Sequence, residues 1–401
     1  MTENEFQKED DNIGIEKTLF SILQEELGKN IENNCVLETI NQETFLNVIH
    51  LAEKHNIDHI IASAYLKTEL LGKDEVSEKC RRKVMMALYR SEQKKYVLEE
   101  VSNAFNNIRI LHIPLKGSVI CHYYPETWMR SSGDIDILIK ENDAEKAIQC
   151  LCELGYKLQK STSIHDYSFF SPLGVHLELH FSLIQEKCLE KANSVLETAW
   201  DYINDDFLPY RKRLTNEMFL LYHLAHMAKH FIKGGCGIRP FIDFWIMERK
   251  ISFDSKILEN LLHDAQLFDF YTAVYEVVSV WFENNPHNNV TLSIEEFILK
   301  GGVYGTINNA ATITAATGES RLRSFSKLMF MSRKSLEILY PKLERCPILF
   351  PYYQVKRWFR IFNKNKRNKI KQLTDIRNAV TKDEISSTVD LLNHLGLNKK
   401  Q

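Results

Sequence analysis

The feature that most constrains this chain is a short stretch, Asp134 to Ile139, that begins with alternating acidic and apolar residues. Side chains alternate across a β-strand, so Asp134 and Asp136 share one face while Ile135 and Ile137 lie on the other. Two carboxylates held about 7 Å apart on one face repel each other, and such a pair commonly binds a hard divalent cation such as Mg²⁺. The alternative is a pair of solvated acids at the edge of a strand.

A second alternating stretch predicts a neighbouring strand and a hairpin. Residues 175–181 place Glu178 between Leu177 and Leu179, which face the opposite side. Residues 167–170 are joined to this stretch by Ser-Pro-Leu-Gly at 171–174, an order that suits a type I turn. Residues 143–154 have helical spacing, and Gly155 suits the C-terminal cap of that helix. The middle of the chain is therefore predicted to mix strands and helices.

The rest of the chain predicts helices around this module. Apolar residues make up 44% of the 401 residues and charged residues 26%, which is typical of a globular protein of two to three domains. Helical spacing fills the region before residue 100, where no residue is assigned a function, and returns after Thr215, a suitable N-cap. The predicted division is a disordered tail at 1–13, a helical region at 14–100, a core at 101–205, a helical domain at 206–345 and a basic aromatic helical tail at 346–401.

Charge, cysteines and hydropathy exclude several classes of protein. The 51 basic and 53 acidic residues give a net charge of −2, which provides no general attraction for nucleic acid. The eight cysteines form no CxxC pair and are too sparse for a disulfide framework. The polar, acidic start of the chain does not resemble a secretory signal, and no apolar stretch approaches the roughly 20 residues that span a bilayer. We expect a cytoplasmic protein with no transmembrane helix.

A glycine-containing turn precedes the acidic strand. Leu115-Lys116-Gly117-Ser118 lies shortly before Asp134 and is followed by a predicted helix start. A glycine in such a turn lets backbone N–H groups approach a phosphate closely. With Glu178 as a third carboxylate, the pattern suits the two-metal chemistry of phosphoryl or nucleotidyl transfer.

The order of these residues resembles a known superfamily. Gly117-Ser118, then Asp134-x-Asp136, then Glu178 between apolar residues resembles the polymerase-β-type nucleotidyltransferases. More narrowly, LKGSVICHYYPETWMRSSGDIDILI, LELHFSL and LAHMAKHFIKGGCGIRPFIDF are similar to the NTP_transf_5 group of uncharacterised bacterial nucleotidyltransferases, over residues of about 40 to 360. The resemblance implies an α+β fold, with a nucleotidyltransferase-type mixed sheet between helical N-terminal and C-terminal regions and an active cleft beside the C-terminal helices.

The resemblance also implies roles for individual residues. Asp134 and Asp136 would bind catalytic Mg²⁺, and Glu178 would complete a site for two ions, with Mn²⁺ as an alternative metal. Gly117 and Ser118 would hold the β- and γ-phosphates of a nucleoside triphosphate. The segment between Ser118 and Asp134 is longer than is common in the superfamily, and we expect it to shape the acceptor pocket.

Three flanking residues are further candidates. Lys116 and Arg130 could neutralise a triphosphate, and arginine suits bidentate contacts with phosphate. Each could instead be a surface cation or form a salt bridge with a nearby acid. His180 shares a strand face with Glu178, so it is a candidate substrate contact or supporting residue, or a hydrogen-bonded structural histidine.

The C-terminal helical region contributes a second group of candidates. His223, His226 and His230 recur on one face of one helix, where three ligands to a single zinc ion are rare. His226 and His230 either face the cleft, as a similar pattern in the resembled group implies, or pack as ordinary histidines. Arg239 and Asp243 either form a helical salt bridge or position the nucleotide or acceptor.

The predicted tail carries a basic segment. Residues 356–371 contain eight basic and no acidic residues, interleaved with Trp358, Phe359 and Phe362. Such a segment either makes peripheral contact with an anionic membrane or acceptor, or is a solvated helix face with apolar anchors.

The function predicted from these features is Mg²⁺-dependent transfer of a nucleoside monophosphate from a nucleoside triphosphate to an acceptor, with release of pyrophosphate (EC 2.7.7 type). The acceptor stays open, and candidates include a sugar phosphate, a lipid or glycan precursor, an antibiotic-like molecule, a peptide and a tRNA end. The alternatives are a non-catalytic nucleotide-binding or scaffold protein on the same fold, and a toxin that nucleotidylates a protein or tRNA. The pattern specifies neither the general base nor the oligomeric state.

Overall fold

A computed structural model describes residues 3–28, 36–68, 75–159, 166–183, 189–302, 346–361 and 381–398, with isolated residues between 309 and 343. The α-helices are α1 (Glu3–Leu27), α2 (Val36–Thr39), α3 (Gln42–Lys54), α4 (Asp58–Lys67), α5 (Glu75–Asn107), α6 (Gly117–Ile120), α7 (Ala144–Glu153), α8 (Glu190–Leu196), α9 (Asn216–Ile232), α10 (Arg239–Lys250), α11 (Ser255–Asp264), α12 (Phe268–Glu283), α13 (Asn289–Leu299), α14 (Phe350–Ile361) and α15 (Lys382–His394). The strands are β1 (His112–Pro114), β2 (Asp134–Ile139), β3 (Lys157–Leu158), β4 (Asp166–Phe170), β5 (His176–His180), β6 (Ile203–Asp205) and β7 (Lys212–Leu214).

The fold is α+β, as predicted, and centres on a mixed five-stranded sheet in the order β1-β2-β5-β4-β3. Strands β2 and β5 pair in parallel, and the other neighbouring pairs are antiparallel. Strands β6 and β7 form a separate two-stranded sheet. The sheet therefore has a parallel centre between two antiparallel edges.

The alternating pattern of β2 divides the sheet into two faces, as the sequence predicts. Ile135, Ile137 and Ile139 belong to one hydrophobic cluster, together with Leu177 of β5 and residues from α5 and α7. Leu138 points to the other side and joins the larger cluster, which the N-terminal and C-terminal helices share. Each face is thus covered by helices, and the acidic residues of β2 lie on the face that meets the larger cluster.

The hairpin and its turn are confirmed. Strands β4 and β5 are antiparallel, and the Gly174 N–H donates to the Ser171 carbonyl at 2.9 Å, which closes the turn. Helix α7 ends just before Gly155, whose φ of 84° lies in the left-handed region that glycine tolerates. Local turn chemistry therefore fixes how β5 returns to the sheet.

The N-terminal helices pack into the same core as the C-terminal ones. Helix α1 contacts α3, α4 and α12, and the His59 Nε2 is 2.8 Å from the Met129 carbonyl oxygen. Helix α1 begins at Glu3, within the segment 1–13.

The C-terminal half is built from α9–α13 and completed by α15. The Thr215 side chain accepts from the Met218 N–H, which confirms the predicted N-cap of α9. Leu391, Leu392 and Leu395 of the final helix region join the main core, where α15 packs on α12 and α13. The last helix therefore belongs to the helical body, whereas residues 362–371 of the predicted basic segment lie outside the described residues.

Among the residues that the structure describes, no helix combines the length and the hydrophobicity that a bilayer-spanning segment needs. The domain boundaries given above stay a prediction.

His55 predicts a specific pH dependence of stability. Its side chain is fully buried, and its Nδ1 accepts from the Ile238 N–H at 3.3 Å, where α10 begins. Burial, with a smaller contribution from Lys54, lowers the pKa of His55 from 6.5 to about 4. The unfolded chain therefore binds a proton that the folded chain does not, so this contribution to stability is present above pH 6.5 and is lost as the pH falls towards 4.

We expect His55→Asn, which keeps an acceptor for Ile238 but does not titrate, to remove this dependence. Between pH 8 and pH 5 the wild type should lose about 2 kcal/mol more of its free energy of unfolding than the variant loses. Urea unfolding of the wild type and the variant at the two pH values measures this difference. Equal losses of unfolding free energy in the two proteins would show that His55 is not the source of the pH dependence.

Candidate active site

The parallel pairing of β2 with β5 brings the predicted acids together. In its register Asp134 lies opposite His176, and Asp136 lies opposite Glu178. Opposite residues of a parallel pair share a face, and His180 follows two residues after Glu178 on the same face. Three carboxylates and two histidines therefore converge on one patch of the sheet.

Asp136 is the buried centre of this patch, with 2% of its surface exposed. Its Oδ1 accepts from the Lys116 Nζ and lies beside the His180 Nε2, both at 2.7 Å. Burial alone would raise the pKa of Asp136, but Lys116 and His180 outweigh it and hold that pKa well below its usual range. Asp136 is therefore ionised at neutral pH and bound by two cations.

The pKa values of the neighbouring groups are shifted in different directions. Burial, with the nearby charge of Asp136, raises the pKa of Asp134. The hydrogen bond from His180 lowers the pKa of Glu178, since the two side chains approach to 3.4 Å. Burial disfavours the charged form of His180, yet its bonds to Asp136 and Glu178 prevail and raise its pKa to about 9. His180 is therefore an imidazolium at neutral pH.

Two sets of side chains in this patch have the spacing of metal ligands. One contains Asp134, His176 and Glu178, and the other contains Asp136, Glu178 and His180, with the ligand atoms of each set within 4.8 Å of one another. Glu178 belongs to both sets. Carboxylate oxygens are the ligands that Mg²⁺ and Mn²⁺ prefer, and Asp134, Asp136 and Glu178 present them on one face. The protonated His180 supports these acids through hydrogen bonds and would ligate a metal only after losing its proton. The donor set fits a divalent cation.

The turn before the sheet is tightly built around Gly117. Lys116 has φ 47° and ψ −125°, a backbone conformation that residues other than glycine rarely adopt. A Cβ on Gly117 would lie 2.9 Å from the Ser132 Cβ, so the turn is packed directly against the segment that leads into β2. Helix α6 then begins at Gly117, where the sequence predicts a helix start, but it is only four residues long. The turn aims the ammonium group of Lys116 at Asp136.

A cavity of about 420 Å³ opens above the acidic patch, between the sheet and helices α9 and α10. Lys116, Gly117 and the three acids line it from one side, and His226, His230 and Arg239 line it from the other. This is the cleft that the sequence analysis expects beside the C-terminal helices.

The three histidines of α9 have separate environments. The His223 Nε2 lies 2.9 Å from the Pro240 carbonyl oxygen, which ties α9 to α10. The Nε2 atoms of His226 and His230 are 3.0 Å apart, so one ring donates to the other. Burial lowers the pKa of His226 well below its usual range and lowers that of His230 to about 4. Both rings are therefore neutral at pH 7 and present no charge to the cleft.

Arg130 is bound to Asp243. The Arg130 Nε lies 2.7 Å from one carboxylate oxygen of Asp243 and 3.0 Å from the other, and the Tyr124 hydroxyl donates to the first at 2.7 Å. Asp243 is fully buried, and 8% of the Arg130 side chain is exposed. Of the alternatives left open for Arg130, the structure shows the salt bridge. A salt bridge to Asp243 was one of the two alternatives for Arg239, whose Nη1 donates to the Ser131 carbonyl at 3.1 Å.

Comparison with known proteins identifies a family. The model of a family described as an uncharacterised nucleotidyltransferase, NTP_transf_5, matches residues 41–283, which is more than half of the chain. The chain belongs to this nucleotidyltransferase family. The matched region contains all twelve residues predicted for the site. A comparison with curated proteins gave no match.

Three further residues of the site were not predicted from the sequence. His176 alternates in phase with Glu178 and His180, so the period of the strand was a usable signal. Tyr222 precedes His226 by one helical turn and lines the same cavity, which the spacing also indicates. Lys94 lies on α5 and bonds to Ser132 just before β2, and nothing local in the sequence marks that contact.

The packing around Gly117 gives a prediction with an internal control. Gly117→Ala should lower the free energy of unfolding by about 1–3 kcal/mol, because the new methyl group would press on Ser132 and on the Arg130 guanidinium. Gly133→Ala should be nearly neutral, since a Cβ there meets no atom within 4 Å. Urea unfolding of the two variants measures both changes. Equal losses of unfolding free energy would show that the turn around Gly117 is not tightly packed.

The buried ion pair of Arg130 and Asp243 gives a second prediction for this site. Asp243→Asn should cost about 3–5 kcal/mol of unfolding free energy, because it leaves the Arg130 guanidinium buried without a carboxylate. Arg130→Met combined with Asp243→Asn should cost less than the sum of the two single changes. Additive losses in this double-mutant cycle would mean that the two side chains do not act as a unit.

Proposed function

We propose that the protein is a Mg²⁺-dependent nucleotidyltransferase that moves a nucleoside monophosphate from a nucleoside triphosphate to an acceptor and releases pyrophosphate. The observation that carries this proposal is the parallel register of β2 and β5, which gathers Asp134, Asp136 and Glu178 at one cavity. Membership of a nucleotidyltransferase family supports the same chemistry.

In the proposed reaction an acceptor oxygen attacks the α-phosphorus. A new oxygen–phosphorus bond forms, the bond from the α-phosphorus to the α,β-bridging oxygen breaks, and pyrophosphate leaves. If the acceptor is a hydroxyl, its proton passes to Glu178 or to solvent. Glu178 is a reasonable carrier because it lies at the patch and 27% of its side chain is exposed.

Asp134, Asp136 and Glu178 would hold the metal, which would neutralise the phosphates and polarise the α-phosphate. The proposal assigns two Mg²⁺ ions, with Mn²⁺ as an alternative. Lys116 and His180 offset the negative charge of Asp136 and hold its carboxylate in place. Their positions would keep three acids together while the nucleotide binds.

The remaining site residues would position substrate. The proposal assigns the β- and γ-phosphates to the turn of Lys116, Gly117 and Ser118. The neutral pair His226 and His230 would contact the nucleoside or the acceptor across the cleft. Arg130 and Asp243 would act through the structure they stabilise, since they are bound to each other.

The nucleoside triphosphate is the proposed donor, and its base and the acceptor stay open, with a tRNA end among the acceptor candidates. A cytoplasmic location, and contact of the basic segment with a membrane surface, also stay predictions.

The test is metal-dependent nucleotide binding. ATP, GTP, CTP and UTP are each titrated into the protein with and without Mg²⁺ by calorimetry and thermal unfolding. One nucleotide should bind only with metal, and at 100 times its Kd should stabilise the fold by about 2.7 kcal/mol. Asp136→Asn should abolish this stabilisation, whereas Glu141→Gln, an exposed acid just beyond β2, should retain it.

Because Asp136→Asn leaves Lys116 and His180 without their carboxylate, Glu178→Gln serves as a second variant at a more exposed position. Equal nucleotide binding by the wild type and both variants would refute the metal site. Binding that never yields pyrophosphate with any candidate acceptor would favour the non-catalytic alternative. Growth arrest on expression, lost in Asp134→Ala, would favour the toxin.

A further inference from the structure

A second cavity of about 540 Å³ adjoins the acidic one on the side of helix α5. Four residues line both cavities, Gly117, Arg130, Ser132 and Gly133, so the turn and the segment before β2 form their common rim. This volume is within the range of small-molecule sites in proteins. The second cavity is thus a separate space for a ligand that reaches the acids across the rim.

The charge lining this second cavity is strongly positive. Seven lysine or arginine residues line it, against two acids, Asp58 and Glu99. Four of the seven have carboxylate partners: Lys83 is bound to Asp58 and Glu53, Arg211 to Asp206 and Arg130 to Asp243, and the Arg82 Nε lies 4.0 Å from Glu78. Among the described residues, no carboxylate comes within 4.0 Å of the charged group of Arg90 or Lys95. Positive charge therefore exceeds what the surrounding protein neutralises, and it favours an anionic ligand.

Lys94 connects this positive charge to the reaction centre. Its Nζ donates to the Ser132 carbonyl and lies 3.0 Å from the Ser132 Oγ, at the rim between the cavities. The Ser132 Oγ in turn donates to the Asp134 carbonyl at 3.1 Å. Burial lowers the pKa of Lys94 to about 8; Asp134 opposes that shift, while Arg130, Arg239 and Arg90 add to it. Lys94 therefore places an ammonium group at the rim, against the residue two positions before Asp134.

Apolar side chains complete the wall. Met86 lies on the exposed side of α5, Phe207 is 69% exposed beneath the Arg211 guanidinium, and Trp128 packs edge-on against His59. All three line the second cavity. A ligand that pairs an anionic group with a ring or another apolar portion would contact both kinds of surface.

We propose that the α5 cavity is the acceptor site, and that the acceptor is a small molecule carrying a phosphate group beside an apolar or aromatic portion. This inference rests on the proposed function. The phosphate would lie near Arg90, Lys94 and Lys95, and the acceptor oxygen would cross the rim at Gly117 and Ser132 towards the acids. The nucleoside of the donor would occupy the other cavity, beside α9 and α10, and its β- and γ-phosphates would lie at the shared rim, where Gly117 lines both cavities and Ser118 lines the α5 cavity. The same phosphate chemistry could instead come from the donor's triphosphate, and the experiment separates the two sources.

The probe is 1-naphthyl phosphate, titrated by calorimetry into the full-length protein with Mg²⁺ and a saturating α,β-methylene analogue of the nucleotide that binds. We expect it to bind the wild type, and Arg90→Glu and Lys95→Glu each to weaken it by about tenfold. Nucleotide affinity should stay within about twofold in both variants. Arg81→Glu, on the same helix but outside the cavity, is the matched control and should change neither affinity.

A different result overturns the proposal. If the nucleotide analogue displaces the probe, and Arg90→Glu weakens the nucleotide instead, the cavity holds the donor's triphosphate. If the nucleotide binds but the probe does not bind the wild type, the acceptor assignment alone fails. If no nucleotide binds with metal, the proposed function fails, and the acceptor assignment fails with it.

Discussion

The parallel register between β2 and β5 is the constraint on which the rest of the site depends. It sets Asp136 opposite Glu178 and Asp134 opposite His176, so the relative positions of the charged groups follow from one pairing. A slip of one residue would move a whole set of side chains to the other face, where Ile135 and Ile137 now pack with α5 and α7. The hydrophobic pattern that stabilises the sheet therefore also specifies the position of the acids.

Concentrating acids on a buried face has an electrostatic cost, and the fold offsets it with cations from distant segments. Lys116 reaches Asp136 from a turn with an uncommon backbone conformation, and His180 reaches it from β5. Asp243 is compensated in the same way by Arg130, across more than one hundred residues of sequence. Each buried carboxylate thus joins segments that the chain order keeps apart, so the electrostatics of the cleft and the docking of α10 on the core are coupled.

Much of this could be predicted from the sequence, because the determining signals are local. The period of two assigns the faces of β2 and β5, the Ser-Pro-Leu-Gly turn predicts the hairpin, and Thr215 predicts the start of α9. The partner of Arg130 could not be predicted in this way. Arg239 stands four residues from Asp243 and was the nearest candidate by helical spacing, but the tertiary fold places Arg130 on that carboxylate. Pairings between distant segments depend on how helices dock, and no short pattern records that.

The N-terminal helices, to which the sequence pattern assigns no function, also contribute to the surroundings of the acids. Helix α5 is covered on one side by β2 and α7, and on another it directs Arg90, Lys94 and Lys95 to a cavity beside the acidic patch. Helix α5 also holds Lys94 against Ser132, which leads into the acidic strand. Since α9 and α10 cover the acids from the opposite side, the sheet lies between two helical walls of different character. One wall presents the neutral pair His226 and His230 beside Lys229 and Arg239, and the other presents a denser group of cations. The proposed division of the site between a nucleotide and a phosphorylated acceptor rests on this difference.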